Sequence, residues 1–141
     1  MTGVQTCALP IFNNLAGLYS RMGRDAEAEL FYKRSLAIRE KVLGPDHPQL
    51  AEVLSNLAIS YGRTGRTTDA EALFKRSLAI RQKALGPDHP AVASALKNLA
   101  DHYSQMGRAA DAEQLYRQAL TIGEKALGPY HTRVKIGRAH V

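Results

Sequence analysis

Between residues 46 and 86 the apolar side chains Leu50, Val53, Leu54, Leu57, Ala58 and Tyr61 follow one another at steps of three and four. That spacing gathers them into one stripe of an α-helix. Asp46 is suited to be its N-cap, Gln49 completes a capping box, and Pro48 occupies the first turn, where a missing N–H costs nothing. Gly65-Arg66 ends the helix, since glycine takes the left-handed conformation of a helix C-terminus. A second helix starts from Thr67 or Thr68, with Thr68 and Glu71 as a further capping box, and runs to Gly86-Pro87. It carries Ala70, Leu73, Phe74, Ser77, Leu78, Ala79, Ala84 and Leu85. Small Ala70 and Ser77 on either side of Phe74 allow two antiparallel helices to approach closely, with the aromatic ring filling the gap. A hairpin with apolar groups on more than one face must stack to hide them.

The pattern recurs. Asn14-Leu15-Ala16 through Arg39 returns 42 residues later as Asn56-Leu57-Ala58 through Arg81, and again as Asn98-Leu99-Ala100 through Ile122. Units are expected at about 12–43, 46–85 and 88–127, with a fourth beginning at Tyr130. The first unit has a shortened leading helix, Asn13 to Met22, followed by Asp25 to Leu43; the third pairs Pro90 to Met106 with Ala109 to Leu127. Gly44-Pro45-Asp46-His47-Pro48, Gly86-Pro87-Asp88-His89-Pro90 and Gly128-Pro129-Tyr130-His131-Thr132 are matched connections. The fold class is all-α, an array of stacked helical hairpins, and such an array offers a shared surface where a globular enzyme offers a pocket.

Composition narrows the setting. With 45% apolar and 23% charged residues and no apolar run long enough for a bilayer, neither a membrane span nor a secreted product is expected, and the expected location is cytoplasmic. Cys7 is the only cysteine, which excludes a disulfide framework and a Cys-based metal site.

Both ends fall outside the repeat. Residues 1–11 read as a translated sequencing adapter, and residues 135–141 as the same adapter on the opposite strand. Thr6 to Ile11 can be coded ACGTGTGCTCTTCCGATC, and the reverse complement of that string fits inside a permitted coding of Lys135 to Val141. On this reading the natural part is 12–134, a fragment cut at both ends. Its 17 basic and 13 acidic residues then carry +4, against +6 for the whole chain.

Leu57, Ala58, Tyr61, Gly65, Ala70, Phe74 and Ser77 in the middle unit resemble the pattern of the tetratricopeptide repeat. The same positions hold Leu15, Ala16, Tyr19, Gly23 and Ala28 before it, and Leu99, Ala100, Tyr103, Gly107, Ala112 and Tyr116 after it. The usual period is about 34 residues. Here it is 42, and the phrases NNLAGLYSRMGR, RSLAIREKVLGPDHP and RSLAIRQKALGPDHP are similar to the kinesin-light-chain type. Ser77 stands where the family usually has Ala, and Gly123 lies inside the third second helix, where it costs about 1 kcal/mol relative to Ala.

The resemblance implies a right-handed superhelix whose concave side, lined by the first helix of each unit, docks peptide segments. The side of that helix opposite its core stripe holds Glu52, Ser55, Ile59 and Arg63, with Asn13, Gly17 and Arg21 before and Ser94, Lys97, Asp101 and Gln105 after. Asn13 and Ser55 suit a peptide backbone, and the arginines suit a carboxylate, so the expected ligand is a protein or peptide segment, acidic or Ser-rich. Asn14, Asn56 and Asn98 adjoin the core stripe, where a hydrogen bond from the side-chain amide to the neighbouring hairpin fixes stacking.

Other chemistry finds little support in the residues. His47, His89 and His131 occur once per unit in the same connection, as copies of a helix-start feature, and no carboxylate or thiol set at ligand spacing accompanies them. His102 is expected at the surface or in stacking. Glu27, Glu29, Asp69, Glu71, Asp111 and Glu113 sit in first turns, where the helix N-terminus stabilises them, and Lys33-Arg34, Lys75-Arg76 and Arg117 follow at ion-pair spacing. Neither a nucleophile–base pair nor a phosphate loop stands out, so no enzyme, metal or cofactor is expected of these residues. The leading class is a protein-interaction scaffold continuing into further repeats or domains of a parent chain. The alternatives are a repeat region attached to an enzymatic or signalling NTPase domain, and weak nucleic-acid binding, which the modest charge excess disfavours. End-to-end self-association is a further expectation, with Phe12, Leu15, Leu18 and Tyr19 exposed at one end and Leu115, Tyr116, Leu120 and Ile122 at the other.

Overall fold

The computed structural model describes the backbone of residues 3–139 and, of their side chains, those of residues 3 and 8–128. The side chains of Cys7, Tyr130 and His131 lie outside the described residues, as do those of the expected tail. Six helices follow in order among the described residues: α1 (Gly3–Arg21), α2 (Asp25–Leu43), α3 (Leu50–Arg63), α4 (Thr67–Leu85), α5 (Pro90–Gln105) and α6 (Ala109–Ala139). Contacts divide the chain into one unit of residues 1–80 and another of residues 81–141.

In the first unit α1 and α2 form a hairpin, α3 packs against both, and most of α4 lies against α3. The core joins α2, α3 and α4 through Leu50, Ala51, Leu54 and Ile80, with Leu36 and Leu73 packed on it. Close approach depends on small residues: Ala16, Ala28, Ala58 and Ala70 have no exposed surface. The first helix is not shortened as expected. It continues from Gly3 through Pro10, which sits inside it, and Leu9 is buried. In the second unit α5 and α6 pair around Val92, Ala95, Leu96, Leu99, Ala100 and Ile122. Backbone at Gly128 leaves helical geometry (φ 72°, ψ −175°), so α6 is two helical pieces, the break falling at the expected third connection.

The turn within each hairpin has one design. Arg24, Arg66 and Arg108 each donate their backbone N–H to the carbonyl of Tyr19, Tyr61 and Tyr103 at 2.9 Å, and the preceding glycine donates to the carbonyl of Ser20, Gly62 or Ser104. These two bonds per turn are the Schellman arrangement, which satisfies carbonyls that the helix leaves open. It demands a left-handed residue, and Gly65 supplies φ 81°. Space around Gly65 is open, with nothing within 4 Å of an added Cβ, so Gly65→Ala meets backbone strain alone. The expected loss is about 1–2 kcal/mol, measured as a lower denaturation midpoint at unchanged slope. A variant with the wild-type midpoint would show that the turn tolerates another conformation.

Helix starts differ from the expected capping boxes. α3 begins at Leu50, past Asp46, and Gln49 makes no capping bond through its side chain. His47 acts instead: its Nδ1 accepts the N–H of Gln49 at 3.2 Å. His89 is the N-cap of α5, its Nδ1 accepting from Ala91 at 3.0 Å with Pro90 in the first turn. The proline that follows each histidine has no N–H, so the first donor within reach of the imidazole is two residues on. Thr68 lies inside α4, whose first residue is Thr67, and Glu71 pairs with Lys75 one turn later at 2.6 Å.

Candidate functional site

In the first unit Gly17, Arg21, Glu52 and Arg63, expected groove residues of α1 and α3, lie near Tyr32 of α2. Its ring is buried, and its hydroxyl lies 3.8 Å from where a Cβ on Gly17 would stand, with Arg21 Nη1 at 3.7 Å from the same point. A Cβ at Gly17 would make only ordinary contact with both groups. Burial pushes the Tyr32 hydroxyl up from its ordinary pKa, opposed by the charges of Arg63 and Arg21 and assisted by Glu52. Ile59 is 42% exposed, and Arg21, Glu52 and Arg63 are also exposed.

The two arginines are not equivalent. Arg63 donates to the carbonyl and the hydroxyl of Ser20, each at 2.9 Å, and forms an ion pair with Asp25. Its guanidinium ties α3 to the α1–α2 turn, so the group expected to hold a ligand carboxylate is engaged with a carboxylate of its own chain. Arg21 makes no ion pair among the described residues.

At Ser55 the expectation is corrected. Expected on the exposed face, it is buried and shares a hydrogen bond of 2.8 Å with the Ser77 hydroxyl, which also donates to the Ala51 carbonyl at 2.7 Å. Two hydroxyls placed between close helices satisfy each other, whereas in solvent they would gain nothing by meeting. Asn13, one period earlier, is half-buried, and its Oδ1 has no hydrogen-bond partner among the described residues. Asn56 and Asn98 are half-buried beside the core, whereas Asn14 is exposed.

In the second unit the expected residues neutralise one another. Lys97 pairs with Asp101 at 2.8 Å, and the Tyr116 hydroxyl donates to the same carboxylate. Burial raises the Asp101 pKa, but the bonds from Lys97 and Tyr116 more than offset it and leave the group below the ordinary carboxylate value. The Ser94 hydroxyl turns back to the Pro90 carbonyl at 3.4 Å, and Gln105 is exposed.

Sequence reasoning missed three recurrent features. Tyr32 itself was legible as the counterpart of Phe74 and Tyr116 one and two periods on. Arg24, Arg66 and Arg108 lie over the rings of Tyr19, Tyr61 and Tyr103 at 4.4, 3.7 and 4.0 Å, and each pairs with an acid three residues on. Arg66 also reaches back to Glu29 at 2.8 Å. Burial raises the Glu29 pKa, while bonds from Lys33 and Arg66 and their charges outweigh it and lower the group overall. Arg39 and Arg81 donate to the backbone carbonyls of Gln49 and Ala91, at 3.1 and 2.9 Å, holding the start of the next helix.

His102 is buried beside Tyr103, ring centroids 6.3 Å apart, which excludes the surface option. Ile122 is buried too, in contrast to its expected exposure, whereas Leu18, Tyr116 and Leu120 are 44%, 39% and 56% exposed. No group of three or more His, Cys, Asp or Glu placed to hold a metal occurs among the described residues. Among those residues no helix is long and apolar enough to cross a membrane.

Successive helical hairpins with a common turn, a common connection and a polar face define a repeat protein. A family model of the tetratricopeptide repeat matches residues 8–83 and 56–125, and the chain belongs to that family. Solved structures of the kinesin-light-chain type are similar to it. BtubC (BKLC) from P. vanneervenii is 27% identical with a TM-score of 0.77, the match covering 84% of this chain and 46% of that one. A Podosopora anserina kinesin light chain protein with nearly identical TPR-like repeats is 29% identical with a TM-score of 0.72, covering 84% and 56%. The chain therefore spans about half the length of these relatives. The N-terminal domain of stress-induced protein-1 from C. elegans shares the fold at 12% identity, with a TM-score of 0.64 over 86% of this chain and 88% of that one. No curated protein sequence matches. The fold is thus the all-α, tetratricopeptide-like solenoid, a class that generally serves as a protein-interaction scaffold.

Proposed function

We propose that the chain binds extended peptide segments bearing an acidic group, on the face of its first unit where α1 and α3 lie over Tyr32. The observation that carries this reading is Arg21, an exposed guanidinium without an ion pair among the described residues, held near Gly17 and the Tyr32 hydroxyl. A carboxylate entering there meets the planar donor set that recognises it best, and Asn13 and Glu52 offer polar contacts to a peptide backbone. Ile59 adds an apolar contact. Lys97 and Asp101 contribute less, since each already has a partner. The proposed parent is a longer repeat protein acting in the cytoplasm, whose other domains include any enzymatic or signalling NTPase activity; nucleic-acid binding is the weaker alternative.

Binding of an Asp/Glu-containing peptide and its Asn/Gln counterpart, followed by calorimetry, tests the assignment. Arg21→Glu is expected to weaken the acidic peptide by roughly tenfold or more and to leave the amide peptide little changed. Equal affinity of wild type and variant for the acidic peptide would remove Arg21 from the site. Preference for a generic DNA duplex, lost on adding salt, would favour the nucleic-acid reading.

A second reading, association of copies through their end helices, is favoured by the exposed apolar residues Leu18 on α1 and Leu120 on α6.

A further inference from the structure

We infer that copies of this chain join head to tail, the exposed surface of α6 around Tyr116 and Leu120 in one copy receiving the α1–α2 hairpin of the next, in the register that the first unit uses internally. The inference rests on the end-association reading and adds to it the residues that meet.

The template is the packing of α3 on α2. Glu29, Tyr32 and Leu36 of α2 recur two periods later as Glu113, Tyr116 and Leu120 of α6. Tyr32 is 4% exposed beneath its neighbours, whereas Tyr116 is 39% and Leu120 56% exposed. Two adjoining depressions of about 420 and 380 Å³ open on this surface, both lined by Tyr116 and Leu120. At the other end the disparity has the same sense. Ser60 of α3 is 1% exposed, and its counterpart on α1, Leu18, is 44% exposed. Each end thus displays what the corresponding interior helix hides.

Charges select the register. Inside the first unit Arg66, lying over Tyr61, crosses to Glu29 at 2.8 Å, and Arg76 crosses to Glu40 at 2.7 Å. The counterparts on the incoming hairpin are Arg24, lying over Tyr19, and Arg34; those on the receiving α6 are Glu113 and Glu124. Both crossings keep their sign. Glu113 is paired with Arg117 on its own helix, as Glu29 is with Lys33, so the incoming arginine meets an acid already arranged as in the template. Because the joined surfaces differ, nothing closes the assembly at two copies, and it grows with concentration.

Sedimentation velocity of the full chain over a wide concentration range tests this, with circular dichroism confirming that each variant is folded. The expected wild-type result is a series of oligomers that lengthens with concentration. Glu113→Arg and Arg24→Glu are each expected to weaken association about tenfold, and the two together to restore it. Leu120→Lys, at an exposed position, is expected to abolish it. A wild-type chain that stays monomeric throughout overturns end association and the register with it. Association undiminished in both charge variants, or not restored in the double variant, overturns the register and leaves end association standing.

Discussion

Replacing Leu54 by alanine is expected to destabilise the first unit by about 3 kcal/mol or more, within the range for large-to-small changes in closed cores. Leu54 has no exposed surface and packs with Leu50, Ala51 and Ile80 where α2, α3 and α4 meet. The lost transfer free energy is only part of the effect. Helices already held at close spacing by alanines cannot collapse into the space, so most of the cavity persists and adds its own term. A repeat array also has no distant core to compensate, since each hairpin is stabilised mainly by its neighbours. Chemical denaturation followed by circular dichroism measures the effect. A loss below about 1 kcal/mol would mean that the hairpins are held by something other than this junction.

Enlarging a small residue should do comparable harm for the opposite reason. Ala70→Leu is expected to cost about 1–3 kcal/mol, because it inserts a branched side chain at a fully buried position of α4. Ala70 has no exposed surface, and its counterparts Ala28 and Ala112 are 0% and 3% exposed. Ala72→Leu, two residues further along the same helix and exposed, is the control and should change stability by less than about 0.5 kcal/mol. Similar melting temperatures for the two variants would contradict the requirement for close approach at position 70.

Much of this fold was legible because it is written in local terms and then repeated. Steps of three and four placed Leu50, Leu54 and Tyr61 on one stripe, and all are buried. Gly65 was readable as a left-handed helix end because few other residues adopt that conformation without strain. Capping was misread for a local reason of another kind. Asp46 has the stronger general preference for an N-cap, but the prolines beside His47 and His89 move the first available N–H into reach of the imidazole. The extent of α1 was misread because residues 3–11 carry no repeat signal, although Leu9 is buried and the helix runs through Pro10.

Within the candidate site the face of each residue was legible, but the partners of Ser55 and Arg63 were not, for one reason. Helical spacing assigns a residue to a face of its own helix. It does not say what stands opposite. Ser55 and Arg63 lie on the expected side of α3, yet Ser55 meets Ser77, 22 residues on, and Arg63 meets Ser20, 43 residues back.

By itself, then, the amino-acid order determined the helices, their period, the turns and the family, because each follows from backbone preferences and apolar spacing within some twenty residues. Tertiary structure alone decided which polar groups remain available to a partner. Hydroxyls and guanidiniums take the first acceptor that packing brings within about 3 Å; Arg63 is held in that way, whereas Arg21 makes no ion pair among the described residues.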